Sequence, residues 1–310
     1  MIRAAVIGVG HLGQHHARLL ASMDGVELVG ICDTNRARAE EIGGKFGVPV
    51  VADARELLTR IDAVTVAVPT VSHLDVAVPF LESGIATLVE KPIASSVSDA
   101  DRLIAAAQRG GAVLATGHTE RFNPAVAKAL PLINEPRFIE IHRLGTFPER
   151  SLDIDVIFDL MIHDLDLLLT VVKSEVTHIE AVGVNVLTPK ADIANARLRF
   201  ASGCIANVTA SRISRERVRK ARFFQHDAYV SIDYASQDLE VFRLVRDAAK
   251  AGGRPIIHGG KLEVENEEPL RRELEDFIDA VRTPRAPGVT GHDGREALAL
   301  ATRVAETMET

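Results

Sequence analysis

The sequence predicts an α/β half followed by an α+β half. A doubly wound parallel sheet is expected over residues 1–119, and a mainly antiparallel open sheet over 120–310. Three observations carry this. Strand-length apolar runs alternate with helical patterns through the first 120 residues. Closely spaced runs joined by short turns dominate afterwards. The first apolar run flows directly into Gly8-Val9-Gly10-His11-Leu12-Gly13. Alternation builds parallel sheets through helical crossovers, whereas short turns build antiparallel ones.

In chain order, a strand from Ile2 to Ile7 enters the G-x-G-x-x-G turn, and a helix bearing Ala17, Leu19 and Leu20 follows. The next strand, Val26 to Asp33, ends in an acid 20 residues beyond the third glycine. Strand, glycine turn, helix and distal acid together are the Rossmann dinucleotide fingerprint. The glycines let a pyrophosphate approach a helix N-terminus, whose amides and dipole stabilise the anion. Gly8, Gly10, His11, Leu12, Gly13, Asp33, Thr34 and Arg38 are therefore candidate cofactor contacts. The Asp33 carboxylate would accept from ribose hydroxyls and repel a 2′-phosphate, which favours NAD. Arg36 and Arg38 soften that preference, so NADP stays open.

Asp53-Ala54-Arg55-Glu56 reads as a capping box opening a short helix. Asp62 to Val68 is a strand, followed by Pro69-Thr70-Val71-Ser72-His73 and a helix to about Ser83. The run Ala86-Thr87-Leu88-Val89-Glu90 is the next strand and leads into Lys91-Pro92. Ser98 with Asp101 begins a helix that Gly110-Gly111 stops, and Ala112 to Thr116 is counted as the sixth strand. Pro69, Thr70, His73, Glu90 and Lys91 then fall at strand ends, where open α/β sheets bind ligands. Read alone, Lys91 is a solvated charge; a dinucleotide loop upstream makes it a candidate for chemistry. His15 and His16 diverge by about 100 degrees on their helix, which disfavours a shared metal. They read as helix-face histidines packing near the glycine loop.

In the second half, strands are expected over Arg137 to Thr146, Thr177 to Leu187, Ile193 to Phe200, Cys204 to Ser211, Lys220 to Gln225, Tyr229 to Asp233 and Leu239 to Leu244. They make a sheet of about six or seven strands. A helix from about Asp155 to Val172 interrupts them. Its residues Asp159, His163 and Asp166 are spaced i, i+4, i+7 and share a face, with Leu160, Ile162, Leu167 and Leu168 around it. That stripe has three readings: a solvated face, a metal site, or an acid–base pair in which Asp159 orients His163. Two more helices, near Pro269 to Arg282 and Asp293 to Met308, are expected to pack back toward the first domain. The segment Arg282 to Gly294 between them is rich in Pro and Gly.

Composition narrows the classes. The 310 residues carry a net charge of -7, which argues against nucleic acid or an anionic membrane as the main partner. No apolar run approaches the roughly 20 residues of a membrane span, and the N-terminus lacks the plan of a signal peptide. Cys32 and Cys204 lie far apart, which suggests a reducing cytoplasm and neither a disulfide framework nor a zinc site. Against the acidic background, Arg212, Arg215, Arg217, Arg219, Lys220 and Arg222 crowd together. They read either as a solvated face or as a site for a substrate diphosphate.

Together the glycine fingerprint, Glu90-Lys91-Pro92, Asp159-x-x-x-His163-x-x-Asp166 and a closing helix after Asp293-Gly294 resemble the Gfo/Idh/MocA oxidoreductase family over nearly the whole chain. The resemblance implies a catalytic Lys91, His163 as base and Asp159 as its partner, with no metal. It places Glu90, Pro69, Thr70 and His73 along the nicotinamide half of the cofactor. It implies a homodimer or homotetramer formed through the open face of the second sheet. The stretches Gly117 to Pro124, Ile139 to Leu144 and Arg150-Ser151 are similar to a narrower branch acting on C3 of UDP-N-acetylglucosamine, ahead of an aminotransferase in lipid A synthesis. Arg121, Asn123, Arg143 and Arg150, with Lys91, Asp159 and His163, are the candidate substrate contacts. Met161, Asp155 and Val156 stand where the family commonly has glycines, so an inositol-type pocket is not assumed. Two rivals remain: a free-polyol dehydrogenase, and a regulator that binds NAD without chemistry.

Overall fold

The computed structural model describes residues 1–147, 154–245, 256–283 and 285–309. The chain divides into two units: Met1–Thr119 with Glu268–Leu298, and Glu120–Glu267 with Ala299–Thr310.

The first unit runs β1 (Ile2–Ile7), α1 (Gly13–Ala21), β2 (Val26–Cys32), α2 (Arg36–Phe46), β3 (Ala63–Val66), α3 (His73–Glu82), β4 (Ala86–Glu90), α4 (Val97–Gly110) and β5 (Leu114–Gly117). Its strands are parallel, in the order β2-β1-β3-β4-β5, as expected of a doubly wound sheet. Strands covered by helices on both faces read as continuous apolar runs. All of β3 and β4 is buried accordingly, including the acid Glu90. The late helix Pro269–Arg282 returns to this unit and sets Leu270, Leu274, Phe277 and Ile278 into the cluster that holds Val6, Leu19, Leu20 and Ile31.

Two details differ from the sequence reading. Among the described residues the sheet has five strands, not six. Between α2 and β3 only Val50 makes a parallel bridge, to Ile31, because Pro49 lacks the amide that a ladder needs. The α4 cap is Ser96, whose side chain accepts from the Asp99 amide, not Ser98 with Asp101. Two overlapping Ser-x-x-Asp patterns compete there, and the chain starts the helix at the earlier one. The Asp53 capping box is present, and it opens a single 3-10 turn.

The second unit contains α5 (Pro124–Ala129), β6 (Phe138–Leu144), a π-turn (Ile157–Met161) leading into α6 (Ile162–Val172), then β7 (Val176–Val184), β8 (Ile193–Phe200), β9 (Ile205–Ser211), β10 (Val218–Phe224), β11 (Ala228–Asp233), β12 (Asp238–Val245) and β13 (Ile256–Leu262). A two-residue β14 (Met308–Glu309) completes it. Among the described residues these make one nine-stranded sheet, ordered β13-β12-β11-β10-β6-β9-β8-β7-β14. Pairing is antiparallel except for β6 with β9 and β14 with β7. The sequence reading undercounted the strands. Gly259 and Gly260 in β13 erase the alternation that marks a strand, and β14 is too short to show one.

Side chains alternate across this sheet. On β6, Ile139, Ile141 and Arg143 are buried, and their partners across β10 are Phe223, Ala221 and Arg219. The opposite face carries Phe138, Phe224, Tyr229 and Phe242 in a row, with successive ring centroids 5.6, 5.1 and 6.2 Å apart.

Candidate active site

In the first unit the glycine loop is built as a cradle. Gly8 has φ +84°, and a Cβ on Gly13 would lie 1.8 Å from the Gly8 carbonyl oxygen, so only glycine fits there. A Cβ on Gly10 would meet no protein atom within 4 Å, which leaves room for a ligand against the backbone. No side chain caps α1, and no acid lies in its first turn, so its leading amides and dipole favour an anion. Asp33, just past β2, ties this loop down. Its Oδ2 accepts from the Val9 amide at 2.7 Å, and its Oδ1 from the Asn35 amide at 2.8 Å. An ionised carboxylate has about four acceptor sites, so two remain for ribose hydroxyls. The cradle therefore fits a dinucleotide.

Arg36 and Arg38 were the residues expected to soften the NAD preference. Arg36 donates to Glu40 at 2.8 Å. Arg38 donates to the Val9 carbonyl, to Gln14 and to Glu41, at 3.1, 2.8 and 2.7 Å. Both guanidiniums thus have anionic or polar partners within the unit. His11 and Thr34 are exposed beside the loop, and Leu12 is half-buried.

At the end of β4, Glu90 is 5% exposed. Its Oε2 accepts from the Lys91 amide at 3.1 Å, and its Oε1 lies 3.1 Å from Nε2 of His16, which is wholly buried on α1. His16 therefore packs near the loop as the helix-face reading expected, with a carboxylate contact that the reading did not include. Local spacing carries no signal for it, because 74 residues separate the partners. Lys91 itself is half-buried, and Pro69 and Thr70 sit exposed and half-exposed after β3.

His73, a candidate cofactor contact, is held between two loops. It is 1% exposed, with Nδ1 3.0 Å from the Pro92 carbonyl and 3.3 Å from that of Ile93, while Nε2 lies 3.0 Å from the Val68 carbonyl. One ring thus bridges the loop after β3 and the loop after β4. Burial lowers its pKa below the ordinary histidine value, against the opposing pull of the three carbonyls and Glu90.

In the second unit, Asp159 lies in the π-turn and His163 in the first turn of α6. Both are half-buried, and Nδ1 of His163 is buried. The expected three-residue stripe does not hold. The π-turn changes the spacing ahead of α6, and Asp166, 2% exposed, is held by Arg121 through two 2.8 Å bonds. Met161, at the place of a family glycine, is fully buried.

Three of the remaining substrate candidates are tied to protein partners. Arg143, 3% exposed, donates twice to Asp164 and once to Glu120, each at 2.8 Å. Burial alone would lower its pKa, but Asp164 and Glu120 raise it well above the ordinary value. Asn123, 1% exposed, caps α5 through the Ala125 amide and donates to the Tyr234 carbonyl. These two are internal struts, and Arg121 directs its planar fork at Asp166. Arg150 lies outside the described residues. Asp164, which the sequence reading passed over, is the acid around which this network forms. Within the basic cluster, Arg212 is 1% exposed and bonded to Asp192, Thr188 and the Ile154 carbonyl. Asp192 also accepts three amides, from Val186, Leu187 and Thr188. Burial pushes its carboxyl pKa up, but those bonds outweigh it and hold the pKa well below the usual carboxylate range. No helix among the described residues is long and apolar enough to cross a membrane.

Comparison with known proteins gives the family. Residues 2–118 match the family model described as "Oxidoreductase family, NAD-binding Rossmann fold", and residues 133–229 match the GFO/IDH/MocA C-terminal domain. The chain is 38% identical over 309 residues to UDP-N-acetylglucosamine 3-dehydrogenase of Acidithiobacillus ferrooxidans, covering 99% of this chain and 97% of that protein. A crystal structure of the Acidithiobacillus ferrooxidans enzyme superposes with a TM-score of 0.92 at 37% identity, over 99% and 97% of the two chains. Scyllo-inositol 2-dehydrogenase (NAD(+)) of Bacillus subtilis is 27% identical, over 94% of this chain and 90% of that one. With the glycine cradle and Asp33 in place, these matches settle the family: the chain is a member of the GFO/IDH/MocA oxidoreductases, with an NAD-binding Rossmann domain at its N-terminus.

Proposed function

We propose that the chain is an NAD-dependent dehydrogenase that oxidises the C3 hydroxyl of UDP-N-acetylglucosamine to the 3-keto sugar. The observation that carries this is 38% identity to the Acidithiobacillus ferrooxidans enzyme over 97% of its length. NAD supplies the hydride acceptor when bound. His163 takes the hydroxyl proton as general base. Asp159 orients the imidazole and favours the imidazolium that forms. Lys91 donates to the substrate oxygen and offsets its developing negative charge. Glu90, bonded to the Lys91 amide, fixes the backbone from which that lysine extends. In the same reading the 3-keto sugar passes to an aminotransferase on the way to a lipid A precursor, in the cytoplasm. The row of Phe138, Phe224, Tyr229 and Phe242 is the face through which a homodimer or homotetramer assembles.

The test follows nicotinamide absorbance with NAD and NADP against UDP-N-acetylglucosamine, other UDP-sugars, inositols and glucose. Reduction of NAD with UDP-N-acetylglucosamine alone is the expected result. Activity on inositol or glucose with none on UDP-sugars would replace this substrate by a free polyol, and cofactor binding without turnover would leave a regulator. Lys91→Ala and His163→Ala should each lower turnover by about two to four orders of magnitude at saturating sugar, with NAD binding kept. Near-normal turnover in either variant removes that residue from the mechanism.

A further inference from the structure

Of the six cations from Arg212 to Arg222, three have acid partners. Arg212 bonds Asp192, Lys220 lies 3.4 Å from Asp233, and Arg222 donates to Glu140 at 2.8 Å. Among the described residues Arg215, Arg217 and Arg219 make no ion pair, and all three are exposed. Register separates them further. Lys220 and Arg222 alternate with the buried Ala221 and Phe223 of β10, so they point to the aromatic face with Phe224. Arg219 falls on the other face, directly opposite Arg143 of β6. That is the face α6 covers, because Asp164 of α6 reaches Arg143 there. Arg219 therefore stands on the same side of the sheet as the helix that carries His163.

Two guanidiniums opposite one another on neighbouring strands repel. Arg143 is neutralised by Asp164 and Glu120, whose oxygens it engages directly. Arg219 feels the same two acids at longer range, together with the positive charges of Arg143 and Arg217. Partial burial of its otherwise exposed side chain first, then those two cations, lower its pKa, and Glu120 and Asp164 offset this only in part. Arg143 thus engages both nearby carboxylates directly, and Arg219 opposite it bonds neither.

We infer that Arg219, assisted by Arg217, binds a phosphoryl anion of the substrate, the diphosphate of a nucleoside diphosphate sugar. The inference rests on the nucleotide-sugar reading above and extends it to particular residues. Guanidinium forks match phosphate oxygens with paired, charge-assisted hydrogen bonds, and an arriving diphosphate would remove the repulsion that Arg219 now experiences.

The test measures UDP binding to the NAD-loaded enzyme by calorimetry, and KM and kcat for UDP-N-acetylglucosamine, in the wild type, Arg219→Gln and Arg219→Lys. Arg102→Gln, an exposed cation of α4 paired with Asp99, is the control. Arg219→Gln should weaken UDP and raise KM by about ten- to a hundred-fold, with kcat within about threefold. Arg219→Lys should recover part of the loss, and Arg102→Gln should match the wild type. If the wild type oxidises the UDP-sugar and Arg219→Gln keeps its KM and UDP affinity within twofold, the anion site is wrong and the function stands. If the wild type binds UDP through Arg219 but oxidises no UDP-sugar, the site stands and the function falls. A wild type that does neither overturns both.

Discussion

His73 joins two loops that carry other candidate residues, and its removal has a calculable cost. His73→Ala takes a fully buried ring from between the Val68 carbonyl and those of Pro92 and Ile93. A neutral imidazole has one N–H, so one hydrogen bond of about 1 kcal/mol is lost, and a buried carbonyl is left without its donor. The vacated ring volume adds a cavity term, bringing the expected loss of stability to about 2–4 kcal/mol. His73→Phe refills most of the space without the donor and should cost about 1–3 kcal/mol. Urea unfolding at pH 8, with NAD titration and turnover on the same samples, measures this. Turnover should fall with stability, because the loop of Lys91-Pro92 loses its tie, while NAD affinity changes by no more than a few-fold. A pH series supplies a second readout. Burial lowers the folded pKa of His73, so the unfolded chain takes up the proton first as pH falls. That part of the stability is full above about pH 6.5 and declines as pH drops from there toward the folded value. His73→Phe should remove this component of the slope. Loss of NAD affinity with stability unchanged would refute the reasoning and return His73 to the role of a direct cofactor contact.

Two further outcomes follow from hydrogen-bonded carboxylates. Asp164→Asn removes the charge that Arg143 faces in the interior and should cost about 3–5 kcal/mol in chemical denaturation; a loss under 1 kcal/mol would mean that Glu120 alone suffices. Asp33→Asn replaces the acceptor of the Val9 amide and lessens repulsion of a 2′-phosphate. Its NAD affinity should fall about ten- to a hundred-fold, with a smaller fall for NADP, read by fluorescence titration; an unchanged NAD affinity would show that the carboxylate is not part of the site.

What could be read from the sequence was what short-range spacing encodes. The glycines, Asp33 and the apolar runs of β1 to β5 each follow from neighbours within a strand, a turn or a helix. The positions of Lys91 at a strand end and of His163 on a helix were readable for the same reason. The partners of charged residues were not. Arg143 looked like a substrate contact because nothing near it in sequence shows that Asp164, on another element, fills its fork. Asn123 looked free until α5 needed a cap. Asp166 appeared to share a stripe with His163 because an unbroken α-helix was assumed, and the π-turn at Ile157–Met161 is a tertiary adjustment that helical periodicity does not foretell. In the basic cluster, alternation along β10 separates Arg219 from Lys220 and Arg222, but the register against β6 was needed to say which face was which.

The place of β6 in the second sheet also sets an order of assembly. Its neighbours are β9 and β10, and Phe138 pairs with both Ile205 and Phe224, far along the chain. By contrast, β7 to β9 and β10 to β13 are each successive antiparallel partners. Each of these groups closes through nearby contacts, whereas β6 gains its ladder only after long loops have been closed at an entropic cost. The first strand of this sheet to leave the ribosome is thus the one that must wait longest for neighbours. Its buried face, Ile139, Ile141 and Arg143, stays exposed in the nascent chain until both halves arrive.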